Sequence, residues 1–391
     1  LKMKEKKKLT DTDFNEYLKG KAIAYSVNIV QYRNELLNSK TLKIDFDYFD
    51  NTYKKKDGEI FYRNHSQNVK TFFKRLCKDS KNQYKFKDYE DVHYKEYTWF
   101  KKCKNGGLTY LKEKGKYENT FGYDFKMSYP TDMADIAFQM PTKSGKEKII
   151  AELPESKFVS FGIYRVSIKC DDKDFKKVFT INDLNYYTSY SLKFAMKLKS
   201  KFDITIKLIK DSEPNAYIYD RKDLISGNKL FGNWYHRLAE LKKELPKNGL
   251  IKLLASSGWG HIQEAKLKYV DEPELIEMIN NGSKIAHDGE DLDYIIADLK
   301  MVGDRTRYAL LNANKSVYDL PFRLLPFITS FSRVKMGNLI NKHNIYDKVI
   351  RIQTDSITMS EKFNENVKGF ISDDKISGNL NFKNLNDYES Y

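Results

Sequence analysis

The spacing of apolar residues divides the chain into helix-like and strand-like segments. Apolar residues that recur every three or four positions predict amphipathic helices, and strict alternation with polar residues predicts half-buried strands. The spacing predicts helices over residues 11–37, 190–202, 231–245, 248–260 and 324–343. It predicts strands over residues 108–111, 120–125, 158–170 and 203–210, and a strand, a turn and a strand over residues 347–363. No internal repeat is visible.

Three stretches lack a clean pattern. Residues 40–105 are polar and rich in Lys and Tyr, which predicts mixed structure, and the "NGG" of residues 105–107 marks a turn. Residues 262–318 are charged and irregular, which is typical of an insertion. The Asn-rich end, residues 379–391, predicts no particular element.

Composition adds a hypothesis about the partner. The 391 residues include 69 Lys and Arg against 54 Asp and Glu, a net charge of +15, and 14% are aromatic. Cationic side chains neutralise phosphates and aromatic rings stack on bases, so this composition suits nucleic acid. An AT-rich genome would produce the same bias, and composition alone does not separate the two explanations.

Three widely spaced cysteines, Cys77, Cys103 and Cys170, form no CxxC pair, which argues against a zinc site or a disulfide framework. A reducing compartment, the cytoplasm of a host cell, fits this usage best. No apolar run reaches about 18 residues, so we expect no membrane partner. The basic start lacks the apolar stretch of a secretory signal.

Two carboxylates attract attention because of their positions. Asp124 ends the apolar run "TFGYDF", and Asp355 lies in or near the turn of the hairpin predicted by "RIQTDSITM". A carboxylate at a strand end can hold a divalent cation through oxygen. Taken singly, each is equally well explained as an ordinary turn residue.

A third segment, "KLLASSGWG", places Lys252, Ser256, Trp259 and Gly260 on one face of a predicted helix. The leucines at positions 250, 253 and 254 would pack inward. A cation, a small hydroxyl, an aromatic plate and a glycine together suit a nucleotide, although a simple core helix would also explain the segment. Two carboxylates and a lysine are what two-metal phosphoryl transfer requires, since the ions need oxygen ligands and the triphosphate needs a cation.

In this chain order the segments resemble motifs A, B and C of family B DNA polymerases, most of all the protein-primed branch of phages and linear plasmids. Motif A, D-x-x-S-L-Y-P, is matched by "DFKMSYP", motif B, K-x-x-x-N-S-x-Y-G, by "KLLASSGWG", and motif C, D-T-D-S, by "QTDS". The preceding Y-x-G-G is matched by "KNGG", and "PFITSFSRVKMGNLI" resembles the helix that leads into motif C. The resemblance covers about residues 100–380.

The resemblance implies an α+β fold, a right-hand polymerase palm of antiparallel sheet with flanking helices plus helical fingers. It implies that Asp124 and Asp355 are the catalytic ligands of two Mg²⁺ ions, with Mn²⁺ as the alternative. The implied nucleotide-binding residues are Phe125 through its backbone amide, Tyr129 as a steric gate, Lys252 at the triphosphate, and Ser256, Trp259 and Gly260 at the nascent base pair. The implied template-binding residues are Gly106, Gly107 and Ser257.

Several positions depart from the family pattern. Gln353 replaces the first Asp of motif C, Met127 and Ser128 stand at the Ser and Leu positions of motif A, and Ser256 replaces the Asn of motif B. Trp259 and Lys104 replace tyrosines. "EYLKGKAIA" resembles the last exonuclease motif, but Lys21 stands where a metal-binding Asp belongs, and a cation there would repel a metal ion.

The resemblance divides the chain into a remnant of the exonuclease domain and linker (1–100), palm with motif A and a first insertion (101–227), fingers with motif B (228–261), a second insertion (262–318) and palm with motif C (319–391). In the family the first insertion meets a terminal protein and the second serves strand displacement. A full exonuclease domain and a thumb are not expected within this sequence.

Two functions follow. The first is a template-directed DNA polymerase core, a nucleotidyltransferase that extends a DNA or protein primer with dNTPs on primer–template DNA. The alternative is a catalytically impaired nucleic-acid-binding remnant, or a subunit of a split polymerase whose exonuclease and thumb are separate chains.

Overall fold

The computed structural model describes residues 31, 35, 38–40, 73, 89–287, 289, 291–302, 305–363, 380–384 and 387–390. The chain forms two compact units, each described by itself. The first comprises Leu1–Asn82 and Asn233–Gly258, and the second comprises Gln83–Gly232 and Trp259–Tyr391. The helix predicted over residues 11–37 lies outside the described residues, apart from helical positions 31 and 35.

The second unit contains a five-stranded antiparallel sheet with the order β1–β15–β16–β3–β17. Its strands are β1 (Thr109–Leu111), β3 (Phe121–Phe125), β15 (Val349–Gln353), β16 (Ser356–Met359) and β17 (Leu380–Asn384). The segments predicted as a strand over 120–125 and as a strand, turn and strand over 347–363 are therefore neighbours. Hydrogen bonding joins them although they lie far apart in sequence.

One face of this sheet is covered by the main hydrophobic core. Tyr123 and Phe125 of β3 pack there with Ile357 and Met359 of β16. The core also includes apolar residues of two helices, α3 (Ser189–Leu198) and α7 (Phe327–His343). Side chains alternate between the faces of a strand, so Asp124 is directed away from this core.

Residues 131–227 form a second antiparallel sheet. β6 (Gly162–Lys169) lies at its centre, and the order is β5 (Lys146–Lys148), β9 (Ala216–Ile218), β6, β7 (Tyr186–Thr188), with β8 (Thr205–Leu208) also paired to β6. β4 (Gln139–Pro141) and β10 (Leu224–Ser226) form a separate pair. The runs predicted as strands over 158–170 and 203–210 contain β6 and β8.

Residues 262–318, whose charged and irregular sequence indicated an insertion and predicted no particular element, contain regular structure. This segment forms β11 (Leu267–Asp271), α6 (Glu272–Asn280), β12 (Ile285–Ala286), β13 (Tyr294–Val302) and β14 (Arg305–Asn312). β13 and β14 make an antiparallel hairpin in a sheet ordered β11–β14–β13–β12. A small core of Val270, Leu275 and Leu310 joins the sheet to α6. These few apolar residues are interspersed with charged residues in the sequence, so their spacing does not reveal the elements that they join.

The amphipathic helices form close to where the spacing places them. α4 (Gly227–Glu244) ends before Pro246, and α5 (Gly249–Ile262) follows. Ile251 and Leu254 of α5 are buried, whereas Leu253, predicted to pack inward, is only half-buried. Among the described residues three α-helices were not predicted, α1 (Tyr94–Cys103), the six-residue α2 (Ser128–Met133) and α6.

The last residues also form strands, although their sequence predicts none. β17 pairs with β3 in the central sheet, and β18 (Asp387–Ser390) pairs with β2 (Gly115–Glu118). The pairing is made by backbone hydrogen bonds, and this polar, Asn-rich sequence has no alternating hydrophobic pattern that would predict it. The fold is α+β, as predicted. Within the described part of the chain, no helix has the length and hydropathy of a membrane span.

Candidate functional site

The candidate site begins at the end of β3. Asp124 is half-buried and is the direct cross-strand partner of Ser356 on β16. Directly opposed residues on antiparallel strands lie about 4.5–5.5 Å apart at Cα and share one face of the sheet. Asp124 therefore lies on the side of the sheet away from the main core, beside the start of β16.

Asp355 immediately precedes β16. It lies with Thr354 in the two-residue turn that joins β15 to β16, closed by the pair Gln353 and Ser356. The backbone oxygen of Asp355 accepts a hydrogen bond from the N–H of Phe125 at 2.9 Å. The sheet thus brings the turn that carries Asp355 next to the end of β3, where Asp124 lies. The same bond gives the Phe125 amide an acceptor within the protein, and its contact with phosphate stays a prediction.

The two carboxylates suit a hard divalent ion. Both residues are half-buried, so they remain accessible at the surface of the sheet. No cluster of three or more His, Cys, Asp or Glu side chains among the described residues could hold a metal ion. Mg²⁺ commonly takes one or two protein carboxylates and completes its shell with water and substrate phosphates. The donor set present here fits that mode rather than an all-protein cage.

The glycines of "KNGG" pack against the Asp355 turn. The N–H of Thr354 donates to the carbonyl of Leu108 at 2.8 Å. A Cβ placed on Gly107 would come within 2.6 Å of Cγ2 and 2.7 Å of Cβ of Thr354, whereas one on Gly106 would meet no heavy atom within 4 Å among the described residues. Gly107 is therefore required by packing within the protein, and Gly106 leaves open space.

Arg333 of α7 fixes this glycine segment, and the sequence reasoning missed it. Its side chain is buried, and Nη1 donates to the carbonyls of Asn105 at 2.9 Å and Gly106 at 2.5 Å. Burial lowers the pKa of Arg333, opposed by nearby Cys103 and Tyr129. A lone arginine among the apolar and small residues of "FITSFSRVKMG" was the available signal.

Tyr129 lies on α2, the short helix that follows Asp124. It is 9% exposed, and its ring contacts the indole of Trp259, with centroids 4.7 Å apart. The pKa of Tyr129 is raised to about 12, chiefly by burial and also by the nearby Asp355, with Arg333 acting in the opposite direction. The hydroxyl therefore keeps its proton at neutral pH. Tyr129, Trp259, Asp355 and Arg333 belong to one neighbourhood in the second unit.

The predicted motif B residues lie on α5 as the helical spacing requires. Lys252 and Ser256 are exposed, and Trp259 and Gly260 are half-buried. Lys252, Ser256 and Ser257 belong to the first unit, and Trp259 and Gly260 to the second. A Cβ on Gly260 would meet no heavy atom within 4 Å in the described chain, so this glycine leaves room beside Trp259.

A cavity of about 590 Å³ opens beside Trp259 and Gly260 in the second unit. Its walls include Lys101 and Lys104 near α1 and the aromatic rings of Tyr97 and Tyr269. Burial raises the pKa of Tyr97, so this side chain is neutral. Glu264 and Asp298 also line it, so the cavity combines aromatic rings with charged groups of both signs.

No family model matches the sequence, and no curated protein matches it. Solved structures do match in fold. Phi29 DNA polymerase complexed with primer–template DNA and incoming nucleotide aligns with 82% of this chain at a TM-score of 0.53 and 13% identity. Phi29 DNA polymerase complexed with single-stranded DNA aligns with 83% of this chain at a TM-score of 0.51 and 14% identity. In each comparison this chain covers 53% of the other, about half its length.

The chain therefore shares the fold of phi29 DNA polymerase over about four fifths of its length. The resemblance found in motifs A, B and C is confirmed at the level of fold. The central sheet carries Asp124 and the Asp355 hairpin, and its assignment as the palm stays a prediction. At this level of identity the comparison concerns fold alone, and the assignment of individual site residues depends on the geometry described above.

Proposed function

We propose that this chain is the core of a template-directed DNA polymerase that joins dNTPs to a primer hydroxyl. The observation that carries the proposal is the pairing of β3 with β16, which brings Asp124 beside the Asp355 turn in a polymerase fold. The 3′-oxygen of the primer forms a bond to the α-phosphorus of the dNTP, the bond to the β-phosphate oxygen breaks, and pyrophosphate leaves. The proton of the hydroxyl passes to water.

Asp124 and Asp355 would hold two Mg²⁺ ions, with Mn²⁺ as the alternative, at the edge where their strands meet. Such a pair of ions, when bound, lowers the pKa of the attacking hydroxyl and stabilises charge on the leaving group. The carboxylates fix the site on a rigid sheet, which holds reacting groups in a defined geometry.

The other residues orient the nucleotide and the template. Tyr129, supported by Trp259, would form the floor under the sugar and reject a 2′-hydroxyl by contact. Lys252, with Ser256, would bind the triphosphate from α5. Gly106, Gly107 and Ser257 would lie along the template strand, and the cavity lined by Lys101 and Lys104 would accept its unpaired part.

Two further roles follow from the segments between the motifs. Residues 131–227 would meet a terminal protein whose side chain supplies the first hydroxyl. The β13–β14 hairpin within residues 262–318 would separate the strands ahead of synthesis. Exonuclease and thumb functions would come from other segments or separate chains.

Primer extension with Mg²⁺ or Mn²⁺ tests the proposal. Asp124→Asn and Asp355→Asn should each reduce nucleotide incorporation about 10²-fold or more, since each removes a charged ligand from the reaction centre. Asp203→Asn, which changes an exposed Asp beside β8, is the matched control and should leave incorporation unchanged. Equal incorporation by the unmodified chain and all three variants would rule the proposal out.

One observation favours the alternative of a nucleic-acid-binding subunit without activity. Gln353, at the end of β15, is exposed and carries no charge where the family motif has an Asp. In that case primer–template DNA would bind with the same affinity to the unmodified chain and to Asp355→Asn, and neither would incorporate nucleotide under any metal condition.

A further inference from the structure

An ion pair joins α7 to α2, the short helix that follows Asp124 and carries Tyr129. Nζ of Lys335, on α7, lies 2.8 Å from Oδ1 of Asp132, near the end of α2. The Asp132 side chain is 1% exposed and that of Lys335 is 27% exposed. The pair is therefore largely removed from water, where breaking it would leave a buried charge uncompensated.

The same ammonium group reaches the other end of the segment. Nζ of Lys335 lies 4.3 Å from the centroid of the Phe125 ring, in cation–π geometry. Phe125 is the last residue of β3 and directly follows Asp124. One side chain of α7 thus contacts the residue after Asp124 and the helix that carries Tyr129.

α2 depends on such contacts for its position. It has six residues, fewer than an isolated helix needs for stability in water. It starts after Met127, whose φ of 52° is left-handed, so the chain reverses sharply between β3 and α2. A carboxylate in the last turn of a helix is also disfavoured by the helix dipole, so Asp132 gains from a cation.

The titration behaviour of Asp132 agrees with this arrangement. Burial raises the pKa of Asp132, and Lys335 opposes that shift by its charge and its hydrogen bond. Asp132 in turn contributes to the raised pKa of Tyr129. The charge on Asp132 is therefore coupled to Lys335 on one side and to Tyr129 on the other.

We propose that Lys335 is a positioning residue for the nucleotide site. By pairing with Asp132 and covering Phe125, it fixes the angle between the strand that carries Asp124 and the helix that carries Tyr129. This inference rests on the proposed polymerase function, because the expected effect of Lys335 is on the position of the nucleotide sugar relative to the metal-binding carboxylate of Asp124. Lys335 itself touches no reacting atom.

Steady-state primer extension with dNTP and rNTP substrates tests this role. Lys335→Met keeps the aliphatic stem and removes the charge. We expect it to raise the KM for dNTP about tenfold, the scale of coupling between residues in contact, with a smaller change in kcat. Its discrimination between dNTP and rNTP should fall because Tyr129 is no longer held under the sugar. Lys335→Arg should restore both, since a guanidinium can reach the same carboxylate.

A second measurement does not depend on activity. Hydrogen exchange of the amides in residues 125–134 should be faster in Lys335→Met than in the unmodified chain, because α2 loses its anchor. The matched control is Lys177→Met, which removes another buried lysine, whose Nζ lies 2.7 Å from Oδ1 of Asp174 and donates to the carbonyl of Tyr346. It should lower stability without changing the KM, the sugar discrimination or exchange in residues 125–134.

The outcomes separate the two levels of the proposal. If the unmodified chain incorporates no nucleotide, the polymerase function fails, and faster exchange in residues 125–134 would still show that Lys335 anchors α2. If the unmodified chain is active and Lys335→Met resembles Lys177→Met in KM, discrimination and exchange, the positioning role is wrong. A change confined to salt-dependent DNA affinity would also overturn it, because Lys335 would then act as a phosphate contact.

Discussion

Thr354 has a φ of 59°, a left-handed conformation that β-branched residues rarely adopt. The two-residue turn that presents Asp355 depends on this conformation, and Gly107 packs directly against the Thr354 side chain. The contact involves Cβ of Thr354 as well as Cγ2, and Cβ does not move when the side chain rotates. A change of rotamer therefore cannot remove the overlap with a larger residue at position 107. The turn and the glycine segment therefore form a single packed unit.

Gly107→Ala should damage this unit. The added methyl group would overlap Thr354, and we expect a loss of about 1–3 kcal/mol in the free energy of unfolding, the usual cost of overpacking, together with reduced nucleotide incorporation. Gly106→Ala is the matched control for stability, because its methyl group would enter open space. Thermal unfolding of both variants measures the difference in stability, and primer extension by Gly107→Ala and the unmodified chain measures the loss of incorporation. Equal stability of the two variants would contradict the contact.

At the scale of single residues, the motif resemblance predicted Asp124, Asp355, Tyr129 and Trp259 as site residues, and their roles stay predictions. It did not identify Arg333 or Lys335. Both act through tertiary contacts, with backbone carbonyls of Asn105 and Gly106 in one case and with Asp132 in the other. No local pattern in "SFSRVKMG" specifies those partners, so only the folded chain reveals them.

At the scale of elements, pattern predicted the long helices and the alternating strands, because these carry their own hydrophobic periodicity. It failed for α2, β13, β14 and β17. α2 is too short to show a period, and the β13–β14 hairpin buries few apolar residues. β17 is specified by pairing with β3 rather than by side chains. Elements that depend on their neighbours are the ones that sequence spacing missed.

A buried arginine ties several elements of the second unit together. Arg323 is fully buried, and its Nε lies 2.8 Å from Oε1 of Glu96 on α1. Its Nη atoms donate to three backbone carbonyls and to the hydroxyl of Ser144. Glu96 also accepts a 2.7 Å hydrogen bond from Tyr219. The network links α1, the β4–β5 loop and the segment before α7.

Arg323→Met should therefore be strongly destabilising. It leaves Glu96 buried without its cation, which costs about 3–5 kcal/mol in the free energy of unfolding. The double variant Glu96→Gln with Arg323→Met should recover part of that loss, because the unpaired charge is gone. Arg221→Met, at an exposed position, serves as the control. Chemical denaturation gives the four values, and an Arg323→Met protein as stable as the control would refute the role of the network.

At the scale of the whole molecule, the raised pKa values of buried tyrosine and cysteine side chains predict how the free energy of unfolding changes at alkaline pH. Burial raises the pKa of Tyr129, Tyr187 and Tyr346 to about 12 from an ordinary 10.0, and that of Cys103 to about 12 from 9.0. These groups keep their protons when folded and release them on unfolding. Their contribution to stability is complete below about pH 9 and is lost as pH rises toward 12.

We therefore expect the free energy of unfolding to fall between about pH 9 and 12, because the unfolded state binds fewer protons there. Denaturation at a series of pH values, with tyrosinate absorbance recorded in parallel, measures the slope. Tyr187→Phe should lower the slope by removing one released proton. A free energy of unfolding that stays constant over this range would show that the tyrosines ionise equally well in both states.

The contact between Gly107 and Thr354 has an evolutionary consequence. The two positions lie in separate parts of the chain and share one small volume. A related protein with alanine or a larger residue at the first position needs glycine or another smaller side chain at the second. Substitutions at the two positions should therefore be correlated across relatives. If two related genes recombined so that only one of the two segments was exchanged, the mismatched side chains would overlap and the turn would not form.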